Sequence, residues 1–286
     1  MKNNRTTTIF LILILFAGLF LLLYPSFSDW WNSMHQSRAI ADYSDQVAQL
    51  DDNQYETIWA EACAYNQSLT ERDNFYSLTP ELEEQYENLL NLSGTGIMGY
   101  VEVPAIGVSY PIYHGTDESV LQIAIGHIKW TSLPTGGEST HCVISGHTGL
   151  PSAKLFTNLN RLVEGDTFML RTLDETLTYE VDQILIVLPH ETSALQIEEG
   201  KDYCTLVTCT PYGVNSHRIL VRGHRIENVK ESKVIRVTSN AIMIEPLLVA
   251  PAVAAPMLLV ALIVVLLPHK PKKSRKYRGG DKLEKR

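Results

Sequence analysis

Residues 205–223 read TLVTCTPYGVNSHRILVRG, and this stretch carries both the pattern typical of the fold and a side chain that raises the question of function. An apolar β-like run ends at Cys209, the turn-forming sequence TPYG follows, and a second run carries Arg218 and Arg222. If the two runs pair as a hairpin across residues 210–217, Arg218 lies near Cys209, while Arg222 lies about 13 Å farther along. Cys209 then has four possible roles: core thiol, disulfide partner, metal ligand or nucleophile.

Short β-like runs of the same kind fill residues 96–226, divided by Gly and Pro. They are IMGYVEVP, GVSYPIYHG, THCVISGH, DTFMLRTL, TLTYEVDQILIVLP, DYCTLVTC and HRILVRGHRI. Most of these runs follow one another without a helical pattern between them, which predicts one closed β-barrel or sandwich of about 130 residues. The sequence LDET at 173–176 is expected to form a hairpin loop between two runs.

Helical periodicity precedes the β region. Apolar side chains three or four apart predict a helix over residues 29–70, and RDNFYS at 72–77 breaks it. Thr79 is then typical of an N-cap, because a proline and a cluster of glutamates follow it, and the helix that it begins is expected to end near residues 93–94. The helical N-terminal segment therefore spans residues 25–95.

Two apolar segments flank this part of the chain. Residues 6–24 carry no charge and are long enough to span a bilayer, which needs about 20 residues. A cleaved signal peptide is the alternative, but YPSF at 24–27 lacks the small-residue pattern of a cleavage site. Residues 247–267 form a second uncharged run, and a membrane helix tolerates its two prolines.

Basic residues lie outside both apolar segments. Residues 1–5 hold two of them, and the tail at 268–286 holds nine Lys or Arg against two acidic residues. By the positive-inside bias both ends are cytoplasmic, so the chain between the two spans is extracellular in a multi-pass protein of the cell membrane. The stretch at 227–246 then links the barrel to the second span.

The part of the chain between the spans is strongly acidic. It holds 13 Lys and Arg against 30 Asp and Glu, a formal net charge of −17. This charge excludes a nucleic-acid-binding protein, since a phosphate backbone requires a basic surface. The sequence also lacks a Gly-rich phosphate loop and a GxSxG elbow.

Spacing makes two of the four roles of Cys209 unfavourable. Cys204 would lie about 16 Å away along the same strand and point to the opposite face, so a disulfide between the two is not expected. Neither C-x-x-C nor H-x-x-x-H occurs, so we expect no metal and no cofactor. A thiol at a strand end beside a loop is accessible, which favours a nucleophile over a core thiol, although only slightly.

A nucleophilic thiol needs a base nearby. His147, in CVISGHTGL, stands where an apolar run meets a Gly-flanked loop, as Cys209 does, and His127 and His217 are the alternatives. Any of the three could instead be a hydrogen-bonded structural histidine. A thiolate that attacks a carbonyl, an imidazolium that protonates the leaving amine and the guanidinium of Arg218 beside the oxyanion would together form an acyl-transfer site.

TLVTC at 205–209, SGH at 145–147 and the following Arg218 resemble the sortases. The resemblance implies an eight-stranded β-barrel and a membrane-anchored cysteine transpeptidase of Gram-positive bacteria, which cleaves an LPXTG-like sorting signal between Thr and Gly. It also implies that Cys209 is the nucleophile, His147 the general acid and base, and Arg218 the group that stabilises the substrate and the oxyanion.

The resemblance extends over residues 126–137, 140–156 and 208–225. Together with the second span and the long helical N-terminal segment, it is similar to class C, the pilin-polymerising sortases. This class implies that the partners are pilin subunits with an LPXTG-like sorting signal, and that a lysine amine of another pilin resolves the thioester.

Class C also implies a lid over the active site, built on an Asp-Pro-aromatic tripeptide. The matching residues here are Asp73, Asn74 and Phe75, so the proline is missing. Asp73 would pair with Arg218 and Phe75 would cover the sulfur of Cys209, although Asp-Asn is equally common in a simple turn. Without the proline, the backbone at residue 74 has more freedom.

The predicted protein is mainly β, an eight-stranded sortase-type barrel with an N-terminal helical segment and two transmembrane helices. Two other functions stay open. In a cysteine peptidase, water would resolve the thioester, and Cys/His pairs alone do not distinguish this from transfer to an amine. A non-catalytic, membrane-tethered binding barrel is the alternative outside the enzymes.

Overall fold

Eight β-strands form a closed barrel in the computed structural model, which describes residues 2–72, 76–228 and 256. In chain order they are β1 (Ile97–Val103), β2 (Val108–His114), β3 (Ile125–His127), β4 (Thr140–Ser145), β5 (Thr167–Thr172), β6 (Glu175–Val187), β7 (Asp202–Thr210) and β8 (His217–Ile226). Around the barrel the order is β1-β2-β3-β4-β7-β8-β6-β5. The predicted eight-stranded barrel is therefore confirmed.

The barrel contains two parallel pairs among its described neighbours, β2 with β3 and β4 with β7. The second pair joins strands that are far apart in sequence, with Ser145 opposite Val207. Sequence patterning missed β3, because three residues are too few to show an alternation. The turn between β5 and β6 is Leu173 and Asp174, inside the predicted hairpin loop.

Along β7, successive side chains point alternately into the barrel interior and toward its outer face. Cys204 and Leu206 are completely buried in the large interior core. Val207 instead belongs to a second apolar cluster, which we call the outer cluster; its buried members are Val143, Leu195, Val207 and Leu220. Successive side chains of a strand point to opposite faces, so β4, β7 and β8 each present one row to the interior and one to the outer cluster.

The described residues form four α-helices: α1 (Lys2–Val47), α2 (Asp52–Thr70), α3 (Pro80–Asn88) and α4 (Glu118–Leu121). The prediction of one helix over residues 29–70 was wrong, because the chain breaks between α1 and α2. Asp51 accepts a hydrogen bond from the backbone N–H of Gln54, whose side chain in turn accepts one from the N–H of Asp51. This capping box fixes the start of α2.

The N-cap predicted for α3 is confirmed, since Oγ1 of Thr79 accepts a hydrogen bond from the N–H of Leu82 at 3.4 Å. The helix is shorter than expected, however, and ends at Asn88 rather than near residues 93–94. Leu89 leaves the helix with extended backbone angles, and Leu90 follows at a φ of 59°. Both leucine side chains are buried, so tertiary packing ends the helix before its sequence signal does.

One buried polar side chain from each of α1, α2 and α3 attaches its helix to the barrel region. Oη of Tyr43 accepts from the N–H of Leu173 at 2.8 Å, and Nδ2 of Asn66 donates to the carbonyl of Leu133 at 3.1 Å. Oη of Tyr86 contacts Nδ1 of His127 at 3.0 Å. Each bond pairs a group that burial removes from water, so these contacts fix where the helices lie on the barrel.

Residues 2–23 and residues 24–228 belong to different compact units, and the barrel lies in the second. Within the described part of the chain, one helical stretch, Thr6–Val47, is long and apolar enough to cross a membrane, with a mean hydropathy of 2.7 in its most apolar window. This assignment rests on the length and composition of the helix alone, and a signal sequence has the same two features. The predicted second span at 247–267, apart from residue 256, and the tail at 268–286 lie outside the described residues.

Candidate active site

Cys209 lies near the end of β7 on the outer face of the barrel. It is two residues beyond Val207 of the outer cluster, and side chains two residues apart on a strand share a face. Its thiol is free and partly exposed. The strand ends one residue later, at Thr210, so the thiol stands at the mouth of the β7–β8 loop, where a substrate has access.

Arg218 is the direct cross-strand neighbour of Cys209 in the antiparallel pair of β7 and β8. Side chains directly opposite one another in such a pair have Cβ atoms about 5 Å apart on the same face. Nη1 of Arg218 donates to the carbonyl oxygens of Asn215 at 3.2 Å and His217 at 3.0 Å. These bonds hold the guanidinium at the start of β8, where it can stabilise negative charge beside the thiol.

Arg222, four residues farther along β8, is engaged elsewhere. Its Nε and Nη2 donate to the two carboxylate oxygens of Asp182 at 3.1 and 3.0 Å, and Nη1 donates to Glu198 at 3.4 Å. The guanidinium also lies 4.1 Å from the centroid of the Tyr203 ring. Arg222 thus forms a structural ion pair, as its bidentate salt bridge with Asp182 indicates.

His147 follows the end of β4, the strand beside β7. Ser145 lies opposite Val207, and the next residue continues the pairing, because the N–H of Gly146 donates to the carbonyl of Val207 at 3.1 Å. Oγ1 of Thr208 donates to the carbonyl of Gly146 at 2.6 Å. In this register the residue after Gly146, which is His147, follows the β4–β7 pairing at the level of Cys209.

The two other candidate histidines lie in different surroundings. His127 is fully buried, with Nδ1 at 3.0 Å from Oη of Tyr86 and Nε2 at 2.8 Å from the carbonyl oxygen of Ser132. His217 lies opposite Thr210 and contacts Oγ of Ser216 through Nδ1 at 2.9 Å. The geometry therefore favours His147 over both as the partner of Cys209.

Glu118 lies beside His147, and sequence reasoning missed it. Its Oε2 lies 3.6 Å from Nε2 of His147, and its Oε1 accepts a hydrogen bond from Nε2 of Gln122. It is the first residue of the short helix α4, in the segment between β2 and β3. No local pattern could have found it, because only the closed barrel brings this segment against the loop after β4.

The N-terminal helix α1 contacts both segments that flank His147. Asp29 accepts a hydrogen bond from the N–H of Lys154 at 3.0 Å, and Asn32 donates to the carbonyl of Ser152 at 2.7 Å. Gln36 donates to the carbonyl of Ile123, just after α4. These three α1 residues, which we call the α1 stripe, recur at the spacing of one helix face and support the loop after β4 and the end of α4.

The outer cluster lies on the same faces of β7 and β8 as Cys209 and Arg218, and Trp130 packs against it. Tyr76 contacts Trp130 edge to face, with ring centroids 5.1 Å apart, and its Oη accepts a hydrogen bond from Thr192 at 3.0 Å. The predicted lid residues Asp73, Asn74 and Phe75 immediately precede Tyr76 and lie outside the described residues. Tyr76, the next described residue, therefore lies beside the outer cluster, which also contains Val207, two residues before Cys209.

The other three cysteines are free, and Cys142 contacts the buried His127 in the barrel interior. Cys142 and Cys204 face each other across β4 and β7 in the barrel interior, and burial raises the pKa of the Cys204 thiol well above its ordinary value. Cys63 is partly buried on α2. Over residues 2–72 and 76–228, no group of three or more His, Cys, Asp or Glu side chains could hold a metal ion.

Residues 101–226 match the profile of the sortase domain. Sortase D of Bacillus subtilis is 30% identical over 131 residues, and the match spans 45% of this chain and 63% of the relative. The crystal structure of sortase C1 from Streptococcus agalactiae is 50% identical with a TM-score of 0.65, and the match covers 67% of this chain and 99% of that chain.

Sortase C of Streptococcus pneumoniae, whose structure is described as informative on catalysis and pilin substrate specificity, is 42% identical with a TM-score of 0.61. The match covers 67% of this chain and 97% of that one. High identity over nearly the whole of two solved sortases, together with the match to the sortase domain, leads to one conclusion. The chain belongs to the sortase family, whose members are cysteine transpeptidases.

Proposed function

We propose that this chain is a membrane-anchored transpeptidase that joins pilin subunits. Its substrate is the LPXTG-like sorting signal of a pilin, and its acceptor is a lysine amine of another pilin. The observation that carries the proposal is the strand register, in which His147 follows the end of β4 at the level of Cys209 and Arg218 pairs with Cys209 from β8. The similarity to a Streptococcus pneumoniae enzyme studied for pilin specificity supports the choice of substrate.

In the first half of the proposed reaction, the thiolate of Cys209 attacks the carbonyl carbon of Thr in the sorting signal. Arg218 stabilises the oxyanion that forms, in the position that backbone amides occupy in other acyl-transfer sites. The Thr–Gly bond breaks, and the imidazolium of His147 gives its proton to the leaving glycine amine. A thioester and a neutral imidazole remain.

In the second half, the lysine amine attacks the thioester carbonyl and the C–S bond breaks. An acceptor that arrives as an ammonium loses two protons on its way to an amide: one passes to His147 and the other to water. Cys209 leaves as a thiolate beside the regenerated imidazolium. If water were the acceptor, the same thioester would yield a hydrolysed signal, as in a cysteine peptidase.

The lid belongs to the same proposal. Asp73, Asn74 and Phe75 would cover Cys209 in the resting enzyme, with the carboxylate on Arg218 and the ring over the sulfur. Support comes from Tyr76, the next described residue, which contacts Trp130 beside the outer cluster. The sorting signal would have to displace the lid before it binds.

The membrane topology is also proposed. The apolar stretch of α1 would anchor the chain with residues 1–5 in the cytoplasm, and residues 247–267 would form a second span. Charge supports this arrangement, because the basic residues near the two ends follow the positive-inside bias. The catalytic barrel would then face the cell exterior, where pilins are joined.

The test incubates the protein with a sorting-signal peptide, with and without hydroxylamine, and follows the products by mass spectrometry. We expect a covalent acyl-enzyme on Cys209 and a hydroxamate product that raises turnover above hydrolysis. Cys209→Ala should abolish both, whereas Cys63→Ala, which removes a partly buried thiol on α2, should leave both unchanged.

Two outcomes would contradict the proposal. If hydroxylamine does not raise turnover and only hydrolysed peptide appears, the protein is a peptidase. If the Cys209→Ala variant still joins pilins in cells, the barrel is a non-catalytic binding module and the enzyme assignment fails.

A further inference from the structure

Glu118 and His147 form a pair of a carboxylate and an imidazole at the edge of the active site. The distance between Oε2 of Glu118 and Nε2 of His147 is 3.6 Å. The carboxylate side chain is 72% exposed and the imidazole side chain 26%, so the pair stands at the boundary between the site and the solvent. A molecule that approaches His147 from this side meets the carboxylate first.

The carboxylate is held in place by its surroundings. Gln122, one turn later, donates a hydrogen bond to the other oxygen, Oε1. The segment that follows α4 is tied to α1, because Gln36 donates to the carbonyl of Ile123. These contacts restrict rotation of the Glu118 side chain and keep its Oε2 oriented toward the imidazole.

No described lysine or arginine forms a salt bridge with Glu118; His147 is its partner. Lys129 is one candidate, because its Cε approaches the segment before α4 at Gly115. Its ammonium pairs instead with Glu83 at 2.6 Å and Glu87 at 3.4 Å, both on α3. The negative charge next to the catalytic base is thus left for a cation that comes from outside.

The reaction brings such a cation. Lysine has an ordinary pKa of about 10.4, so the acceptor reaches the enzyme as an ammonium and must lose a proton before it can attack. After the first half-reaction His147 is neutral and can take that proton. Charge-assisted hydrogen bonds have lengths of about 2.8 Å, so an ammonium nitrogen can contact both Oε2 of Glu118 and Nε2 of His147.

We propose that Glu118 is the acceptor-recognition residue: its carboxylate binds the ammonium of the incoming lysine beside His147, and so favours cationic amines over neutral nucleophiles. The ammonium passes one proton to Nε2 of His147, the freed amine attacks the thioester carbonyl, and the second proton leaves to water as Cys209 departs. This inference rests on the proposed transpeptidase function and adds the chemistry that selects its acceptor.

The test uses the full chain in lipid vesicles with a saturating sorting-signal peptide. Two nucleophiles compete near neutral pH: a lysine-bearing peptide, which is cationic, and hydroxylamine, which is mostly neutral. In Glu118→Gln the ratio of lysine product to hydroxamate should fall about fivefold, through a higher half-saturating concentration of the lysine peptide. Added salt should lower the ratio for the wild-type protein and have little effect on that of the variant.

Asp117→Asn is the matched control, because it removes the same charge one residue away. Its ratio should stay at the wild-type value. An equal fall in both variants would mean that only the general field of this segment matters, and an unchanged ratio in Glu118→Gln would equally overturn the inference. An unchanged ratio in Glu118→Gln refutes this inference alone, whereas a wild-type protein that makes no lysine product contradicts the lysine acceptor of the proposed function, and one that forms no acyl-enzyme refutes the transpeptidase itself.

Discussion

Arg218 and Arg222 carry the same side chain on one strand, and their surroundings distinguish their roles. Arg222 is held by Asp182 and Glu198 and lies over an aromatic ring, whereas Arg218 is the cross-strand partner of Cys209 and its guanidinium is held by backbone carbonyls. A planar guanidinium presents two donors side by side to an oxyanion, which an ammonium cannot do.

We therefore expect Arg218→Lys to lower kcat/KM for the sorting-signal peptide by about 100-fold, the scale of one lost oxyanion donor. Arg222→Lys should instead reduce the free energy of unfolding by about 1 kcal/mol and keep activity within about threefold of the wild type. Peptide turnover and urea unfolding measure the two effects. Near-normal turnover in Arg218→Lys together with a large loss in Arg222→Lys would reverse the assignment.

Among the elements, the segment between α2 and α3 is the one with a proposed motion. It connects the end of α2 to Tyr76, which is attached to Trp130 and Thr192. If residues 73–75 form a lid, the reactivity of Cys209 depends on how often that lid opens. The missing proline at position 74 should make the opening more frequent, since proline reduces the freedom of the backbone.

Two substitutions should therefore move thiol reactivity in opposite directions. If the lid forms as proposed, Phe75→Ala removes its ring from above the sulfur. We then expect modification of Cys209 by a thiol reagent to become about fivefold faster, because the free energy that keeps the lid closed falls by about 1 kcal/mol. Asn74→Pro should slow it about threefold by favouring one backbone conformation. Both rates are measured in a Cys63→Ala background. Equal rates in all variants would indicate that residues 72–77 are an ordinary turn.

The elements also differ in how far sequence could predict them. The hairpin that brings Arg218 to Cys209 was predictable, because a single short loop fixes its register. The capping-box residues Asp51 and Gln54 could have predicted the break before α2. The apolar spacing continues across this break, however, and it led to the prediction of one helix. The sequence could not predict the role of Glu118, because its approach to His147 depends on the order of β2, β3 and β4 around the closed barrel.

At the scale of the whole molecule, the N-terminal helices do more than lead to the barrel. Tyr43, Asn66 and Tyr86 attach α1, α2 and α3 to it through buried hydrogen bonds. The α1 stripe reaches the loop that begins at His147 and the segment after α4. Two segments of the candidate active site are therefore supported by a helix that ends at Val47, well before the barrel begins at Ile97.

Asn32→Ala tests whether this support matters for catalysis. The change leaves the carbonyl of Ser152 without the donor that lies 2.7 Å away. We expect the free energy needed to open the loop after β4 to fall by about 1 kcal/mol, the usual net value of one hydrogen bond. Turnover of the sorting-signal peptide should fall about fivefold, because His147 spends less time beside Cys209. Amide hydrogen exchange at Phe156, whose N–H donates to the carbonyl of His147 at 3.2 Å, should quicken in parallel.

Ser37→Ala is the matched control for this change. Its hydroxyl also lies on α1, but it bonds only within its own helix, to the carbonyl of Ser33 at 2.9 Å. We expect wild-type turnover and exchange in this variant. If Asn32→Ala also retained both, α1 would serve attachment alone. If exchange quickened without any loss of turnover, the loop after β4 would not limit the approach of His147 to the thiol.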